Sequence, residues 1–400
     1  MSKRAFLFAL LFANFLFTLQ FTLVIYQNSS VLGFFIPAEA VNSLYTGYAV
    51  ASMFVLGGMG ALLSRYGNRR IILFLLFANT LALCVLGLSE WQGLWALPYL
   101  VAISFALHSA VAFIVKSNLD FYAEDITTFD GAGRIRGQIL TVNNVAWLLG
   151  PALAGLLISA PEFYGRAYFA SAFVSFILLF LIARVFRNVP DRSYRKESFL
   201  ETLKEVRGRP NVRHIFMANF LMHFFFAWMV IYLSPLLKDI VGFSPREISL
   251  VIVVMLIPYL VVDFPLGRLA DEYLGEKELL VIGFVVTAFF TFFIPFLESH
   301  ELFVWAAVLF GTRVGAATIE IMSETYFFKK IRPGDEHLIS FFRNGQPLAY
   351  VLGPLAATAL VFTYNSYFSA TGVPYTFLFL CLSFIILYGI RYALSIRDTR

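Results

Sequence analysis

The side chains most able to do chemistry in this 400-residue chain are ionisable groups on one long apolar run. Arg313, Glu320 and Glu324 are spaced so that a helix would carry all three along one face. A charge at mid-membrane costs about 2.5–3.5 kcal/mol on insertion scales, and residues that bear this cost usually face a cavity or a partner. A guanidinium near carboxylates in a partly dry site could bind an anionic or zwitterionic solute and could load and release a proton.

The elements that must position these groups are membrane-spanning helices. Sixty per cent of the residues are hydrophobic and 14% are charged, whereas about 25% are charged in a typical soluble domain. Apolar runs of about 20 residues recur, each long enough to cross the hydrocarbon core of a bilayer. We therefore predict an all-α polytopic membrane protein with 12 transmembrane helices, over residues 5–27, 42–63, 71–89, 94–116, 138–160, 167–186, 212–236, 246–267, 279–297, 301–322, 340–362 and 373–392.

Several other classes of protein have no support in the residues. Cys84 and Cys381 both lie inside apolar runs, so a disulfide is not expected. The chain has no HExxH, no GxSxG and no phosphate-binding P-loop, which argues against an enzyme and against a nucleotide-driven pump. No cofactor and no metal site are predicted.

The distribution of positive charge predicts the orientation of the chain. With twelve crossings, 26 of the 30 Lys and Arg residues fall on one side of the membrane and three on the other, while Arg313 lies within a helix. Because cytoplasmic loops carry the excess of Lys and Arg, both termini are expected in the cytoplasm and the protein in the cytoplasmic (inner) membrane. These charges alternate with the spans, so nucleic-acid binding is not expected.

A duplicated signature divides the chain into two halves. Segments 60–70 and 267–277 share a Gly-x-Leu start and a later Gly, and Gly150-Pro151 has a counterpart in Gly353-Pro354. Both pairs are offset by about 205 residues, as expected for two tandem membrane bundles. The predicted domains are an N-terminal six-helix bundle over 1–186, a cytoplasmic linker with an amphipathic helix over 187–211, and a C-terminal six-helix bundle over 212–400.

This duplicated signature resembles the loop motif of major facilitator superfamily transporters, Gly-x-Leu-Ala-Asp-Arg-x-Gly-Arg-Arg. The first copy departs from the motif at Ser64, where the family has Asp, and the second at Glu272, where Arg is usual. The resemblance covers essentially the whole chain, and the motif pattern is similar to that of bacterial efflux-type members. It implies two pseudo-symmetric six-helix bundles that expose a central site alternately to the two sides of the membrane.

The resemblance also implies a cytoplasmic gate, which latches the ends of the two halves when the carrier faces outward. Gly67 and Gly275 are expected in tight turns with positive φ, and Asp271 at the N-terminal end of a neighbouring helix. Gly60 and Gly267 should let two helices approach closely. The predicted gating residues are Gly60, Arg65, Gly67, Arg69, Arg70, Asp263, Gly267, Asp271 and Gly275.

The fifth apolar run resembles the antiporter motif of the family, Gly-x-x-x-Gly-Pro-x-x-Gly-Gly. It contains Gly150, Pro151 and Gly155, with Ala146 and Ala154 in place of two glycines. Pro151 should kink the helix, and Gly155 should keep its surface flat for a neighbour. Gly353 and Pro354, in the eleventh apolar run, form a weaker match to the same motif. The motif favours export by antiport, and a kinked packing helix is the alternative interpretation.

The repeat pairs ionisable residues of the two halves on runs that, by resemblance, line the central path. His108 corresponds to Arg313, and Asp120 to Glu324. We predict a midplane site with His108 and Arg313, and a proton-coupling layer with Asp120, Glu320 and Glu324. Alternatives are a packed His108 bonded to Ser104 or Ser109, an Arg313 paired with Glu320 or Asp263, and interfacial acids paired with lysines. Further cavity candidates are His223, Trp228, Asn14, Asn143, Gln346 and Tyr350.

Together these patterns predict a secondary active transporter. We expect proton-coupled export (antiport) of a small solute by alternating access, with Glu320 carrying the proton and Arg313 acting as its electrostatic switch. The alternatives are proton symport or facilitated uptake of a small polar or anionic metabolite, and a transporter-like sensor. The expected partners are a small-molecule substrate, membrane lipid and protons, and the protein is expected to be a monomer.

Overall fold

The fold of this protein consists of helices and their connections in the described part of the chain. The computed structural model describes residues 3–57, 59–88, 97–126, 132–158, 163–188, 199–261, 275–330, 336–369 and 372–397. Within these ranges the regular elements are helices, and no strand occurs. The predicted all-α class is therefore confirmed.

The predicted membrane spans correspond to helices along the whole chain. In the described ranges, nine helices are long and apolar enough to cross a membrane, and Ala40–Leu56 and Thr141–Leu157 are shorter apolar helices. The remaining run, 246–267, starts as Pro245–Leu256 and Pro258–Val261 and continues into residues outside the described ranges. Pro258 has no N–H to continue the preceding helix, which explains the interruption. The polytopic architecture with twelve spans is confirmed.

Residue contacts divide the chain into two compact units. Unit 1 contains Met1–Lys196 and Phe243–Leu250, and unit 2 contains Glu197–Gly242 and Val251–Arg400. The helices of the first 196 residues are α1 (Lys3–Thr22), α2 (Asn28–Leu32), α3 (Ala38–Gly57), α4 (Met59–Tyr66), α5 (Asn68–Gly87), α6 (Pro98–Ile126), α7 (Ala132–Leu157) and α8 (Gly165–Val185).

The second half of the chain has the same helical character. Its first elements are α9 (Phe199–Gly208), α10 (Pro210–Pro235), α11 (Pro245–Leu256) and α12 (Pro258–Val261). Its later elements are α13 (Glu276–Phe293), α14 (Leu302–Lys330), α15 (Glu336–Arg343), α16 (Gly345–Phe368), α17 (Tyr375–Leu387) and α18 (Gly389–Ser395). Helix α11 begins in unit 1 and ends in unit 2.

Helix α1 packs against α6, α7 and α8 in unit 1, and α5 packs against α6 and α8. The side chains at these contacts are short and aliphatic or aromatic, and they include Leu10, Ala13, Ile72, Leu76 and Leu178, all fully buried or nearly so. Lipid tails are as apolar as these side chains, so close van der Waals packing rather than escape from water holds the helices together. The fit between the packed side chains therefore sets the positions of the helices in unit 1.

Helices α13 and α14 approach each other most closely at glycines. A Cβ atom added to Gly315 would lie 2.6 Å from the backbone N of Thr287 and 2.7 Å from the carbonyl O of Gly283. A Cβ atom on Gly311 would lie 2.5 Å from the ring of Phe290. Gly311 and Gly315 form a small-xxx-small pattern, which lets two helix backbones approach in a membrane. This seam sets the rotation of α14 about its axis.

The predicted amphipathic helix of the linker is present as α9. It packs against α10 and α15 through a side that includes the buried residues Thr202 and Val206. Glu205 on its polar side forms a salt bridge of 2.7 Å with Arg209. Residues 189–198 of the predicted linker lie outside the described ranges. The apolar side of α9 is therefore covered by other helices of unit 2.

Candidate functional site

Arg313 is a buried cation inside α14, with 2% of its surface exposed. Its guanidinium carbon lies 5.2 Å from the ring centre of Phe225 and 5.1 Å from that of Phe226, both on α10. Its Nε and Nη2 atoms are buried and have no hydrogen-bond partner in the described part of the chain. There, Arg313 also forms no salt bridge, so the alternative of a pair with Glu320 is not observed. Cation–π contacts are the interactions that the structure gives this charge.

The glycine seam explains why Arg313 faces α10. Successive residues of a helix are rotated by about 100°, so residue 313 points about 200° away from both Gly311 and Gly315. Those glycines contact α13, which leaves the opposite face of α14 for Arg313 and for α10. The sequence signal for this arrangement is the Gly-x-x-x-Gly spacing around the arginine, which our sequence analysis did not use.

His108 on α6 is fully buried in unit 1. Its Nδ1 atom lies 2.7 Å from the Oδ1 atom of Asn79 on α5. The packed, hydrogen-bonded alternative thus describes this histidine, although its partner is Asn79 rather than Ser104 or Ser109. The ring also packs against Phe21, with 6.1 Å between the ring centres. Among the described residues, Nε2 of His108 has no hydrogen-bond partner.

Asn79 connects His108 to a polar network between three further elements. Its Nδ2 atom donates to Oε1 of Gln20 at 3.2 Å and to Oγ of Ser175 at 3.0 Å. Ser171 donates to the carbonyl O of Gln20. Helices α1, α5, α6 and α8 thus each contribute a polar group. Asn79, Ser171 and Ser175 are not among the residues predicted from the sequence, where their signal is a small polar residue in the middle of an apolar run.

We expect Asn79→Leu to lower the free energy of unfolding by about 1–3 kcal/mol, because it removes the hydrogen bond of the buried His108 Nδ1 and two further buried hydrogen bonds to Gln20 and Ser175. Thermal unfolding of the purified protein in detergent measures the effect. Asn344→Leu is the matched control, since Asn344 stands at the start of α16 without a side-chain capping bond. Equal melting temperatures for the two variants would contradict the prediction.

The motif residues of α7 form two close helix contacts. A Cβ atom on Gly150 would lie 2.6 Å from Cβ of Thr22, whose hydroxyl donates to the carbonyl O of Ala146 at 3.0 Å. A Cβ atom on Gly155 would lie 2.5 Å from Cβ of Ser249 on the part of α11 that belongs to unit 1. The expectation that Gly155 keeps the helix surface flat for a neighbour is met by Ser249.

The second half repeats this crossing in a looser form. Gly353 on α16 faces α10, and an added Cβ atom would lie 3.7 Å from Cβ of Ala227. Pro151 and Pro354 lie inside α7 and α16, as predicted. The contact of Gly150 with α1 and the contact of Gly353 with α10 are therefore equivalent in the two repeats. A bend at either proline remains a prediction.

The gating residues of the first signature surround the turn between α4 and α5. Gly60 lies within α4, and Gly67 has φ of 79°, which is the positive φ predicted for this turn. Nη2 of Arg69 donates to the carbonyl O of Ala183 at 2.6 Å, at the C-terminal end of α8. Carbonyls at a helix end have no partner within the helix, so a cation there is favourable. Arg65 and Arg70 are exposed.

The second signature corrects one expectation. Gly275 has φ of −80° and ψ of 169°, which is extended backbone, so the predicted positive φ is wrong. Gly275 is the residue before α13, and such N-cap positions normally adopt extended dihedral angles. Asp263, Gly267 and Asp271 lie outside the described residues.

The remaining predicted polar residues have mixed surroundings. Asn14 donates to the carbonyl O of Leu10 within its own helix, and Asn143 accepts a hydrogen bond of 2.9 Å from Thr18 and so links α7 to α1. The fully buried Trp228 packs between Phe224 and Tyr232. Of the others, Tyr350 is buried and Glu324 is exposed. The half-buried ones are His223, Gln346, Asp120 and Glu320.

Comparison with known proteins supplies a family for this arrangement. The profile described as Major Facilitator Superfamily matches residues 5–244 and 215–394. Multidrug resistance protein 2 of Bacillus subtilis (strain 168) is 23% identical over 283 residues, which are 68% of this chain and 66% of that protein. The chain thus spans about two thirds of the length of this relative.

Solved transporters share the fold. The crystal structure of a D-xylose-proton symporter superposes with a TM-score of 0.72 at 13% identity, covering 99% of each chain. That of the nucleoside transporter NupG has a TM-score of 0.71 at 12% identity, covering 97% of this chain and 100% of the other. A bacterial homologue of the human lysosomal transporter Spinster has a TM-score of 0.64 at 14% identity, with coverages of 98% and 93%.

Proposed function

The chain belongs to the Major Facilitator Superfamily and is a secondary transporter, and from this premise we propose that it exports a small solute from the cytoplasm in exchange for protons. In this proposal the protein is a monomer in the inner membrane with both termini in the cytoplasm, and alternating access moves the substrate. Export is distinguished from symport or facilitated uptake by the direction in which the substrate moves against its gradient.

One observation carries the choice of export, namely the antiporter-like motif of α7. Gly150 and Gly155 stand at two helix contacts where no other residue would fit without displacement of a neighbour. The two glycines that match the antiporter motif therefore stand at positions where the fold requires a small residue. The relative named multidrug resistance protein 2 supports the same direction.

The roles of the ionisable residues complete the proposal. Arg313 binds substrate, because a buried charge whose Nε and Nη2 have no hydrogen-bonding partner in the described ranges gains most from a ligand of opposite charge. Glu320 lies on α14 two turns further along the same face and carries the proton. Asp120 and Glu324 extend the proton path. His108, which the Asn79 network holds in place, contributes to the substrate cavity from unit 1.

Transport in oriented vesicles tests the direction. We expect inside-out vesicles with an acidic lumen to accumulate at least one probe of a pair, ethidium as the cation and naphthalene-2-sulfonate as the anion, several-fold above vesicles without the protein. Both probes are permanently charged, so a pH gradient does not drive them across the bilayer by itself. Nigericin, which collapses the gradient, should abolish the accumulation. Accumulation in right-side-out vesicles instead would replace export by uptake.

A further inference from the structure

The surroundings of Arg313 define what kind of ligand it can accept. The rings of Phe225 and Phe226 lie within 5.2 Å of its guanidinium carbon, so aromatic groups already contact this cation. Hydrogen-bond donors of the group lie in its plane, and Nε and Nη2 are the donors that are buried without a partner in the described part of the chain. A ligand must therefore approach the guanidinium through its edge.

The two unpartnered nitrogens share one edge of the guanidinium. The N–H of Nε and one N–H of Nη2 point in parallel, since Nη2 is the terminal nitrogen on the same side as the Nε hydrogen. Two parallel donors match the two oxygens of a carboxylate, and such bidentate pairs are stronger and more directional than single hydrogen bonds. Water would satisfy these donors but would leave the buried positive charge unbalanced.

Charge balance selects a monovalent anion. Arg313 brings one positive charge into a region that is almost fully buried, with 2% exposure. A monocarboxylate neutralises that charge, whereas a phosphate dianion would leave a buried negative charge and an ammonium ligand would be repelled.

Phe225 and Phe226, the two rings that contact Arg313, are apolar and aromatic, which indicates an apolar or aromatic body for the ligand. Phe226 makes edge contacts with Tyr259 at 6.1 Å and with His223 at 6.0 Å between ring centres. We infer that the substrate of this transporter is an organic acid with one carboxylate on an apolar or aromatic body, held at the Nε–Nη2 edge of Arg313. This inference rests on the proposed function, because it assigns the substrate class of the same site.

Ligand-induced stabilisation of the full-length protein in detergent tests the inference without any gradient. The probes are benzoate and 1-naphthoate, with benzylamine, benzyl alcohol and phenyl phosphate as matched cation, neutral compound and dianion. We expect the two carboxylates to raise the melting temperature of the wild type and the other three to leave it unchanged. Arg313→Gln should abolish the shift. Arg313→Lys should reduce it, because lysine keeps the charge but not the fork of donors.

Arg166→Gln is the matched control variant, since Arg166 is an exposed arginine whose guanidinium lies 4.8 Å from the ring centre of Phe163. It should retain the full response to carboxylates. A carboxylate shift that persists in Arg313→Gln, equal shifts with benzylamine, larger shifts with phenyl phosphate, or no shift with either carboxylate in the wild type would each overturn the inference. If Arg313→Gln does not fold, the comparison of the wild type with Arg313→Lys decides. Failure here leaves the vesicle test of export intact, because binding is measured at equilibrium and export by flux.

Discussion

Gly315→Ala is expected to destabilise unit 2 strongly, and Gly315→Leu to prevent the recovery of monodisperse protein. The added Cβ atom would lie 2.6 Å from the Thr287 N and 2.7 Å from the Gly283 O, both of which are backbone atoms that no side-chain rotation can move away. Extra atoms in a packed interior typically cost about 1–3 kcal/mol, and the cost rises when the backbone must shift. Helices α13 and α14 would have to separate along their whole contact.

The measurement is the melting temperature of purified protein in detergent together with its elution in size-exclusion chromatography. Gly47→Ala on α3 is the matched control, because nothing lies within 4 Å of its added Cβ atom. Alanine forms helices more readily than glycine by about 0.8–1.0 kcal/mol, so this control should keep or raise the melting temperature. If the two alanine variants have the same melting temperature, the glycine seam does not hold α13 and α14 together.

Loss of the Gly315 seam should also affect the proposed substrate site at Arg313. The seam sets the rotation of α14, and that rotation directs Arg313 towards Phe225 and Phe226. If Gly315→Ala is recovered folded, its response to benzoate should therefore be weaker than that of Gly47→Ala. Stability and ligand binding are thus linked through the two opposite faces of one helix, α14.

The second large effect is expected for Glu320→Gln, which should lose gradient-driven transport down to the level of protein-free vesicles. Glutamine has nearly the shape of glutamate but cannot bind and release a proton at physiological pH. Binding of substrate should remain, because Arg313 and not Glu320 holds the ligand in our proposal. Exchange of labelled for unlabelled substrate at equal pH on both sides should therefore continue.

Reconstituted proteoliposomes with an imposed pH gradient separate these two activities. Glu205→Gln is the matched control, since it removes a carboxylate from the polar side of α9, where Glu205 pairs with Arg209. That variant should transport at the wild-type rate. Full gradient-driven transport by Glu320→Gln would remove Glu320 from the coupling role and leave Asp120 or Glu324 as the candidate.

Some features of the fold follow from composition and spacing alone. Each predicted run is represented by a helix because a backbone in lipid must satisfy its own hydrogen bonds, and an apolar run of this length has no alternative to a helix. The positive φ at Gly67 follows in the same way, since this glycine stands between two helices. Gly275 did not follow, because it also stands directly before a helix but has an extended backbone, so the shared motif does not fix the backbone conformation of this glycine.

Contacts between distant helices did not follow from the sequence. The hydrogen bond between His108 and Asn79 joins residues that are 29 positions apart, and nothing in either run marks the other as its partner. Similarly, Arg313 and Glu320 share a helix face by periodicity, yet the guanidinium contacts Phe225 and Phe226 of α10. Periodicity identifies a face but not the helix that covers it.

The amino-acid sequence by itself determined that this chain is a duplicated, all-helical transporter, because the apolar runs, the positive charges of the loops and the repeated motif are all local and additive signals. Only the tertiary structure decided that Arg313 lies against two aromatic rings, with its Nε and Nη2 unpartnered among the described residues, and that His108 belongs to a polar network. Those outcomes depend on how far each helix is rotated about its axis, and for α14 that rotation is set by close glycine contacts with the preceding helix α13.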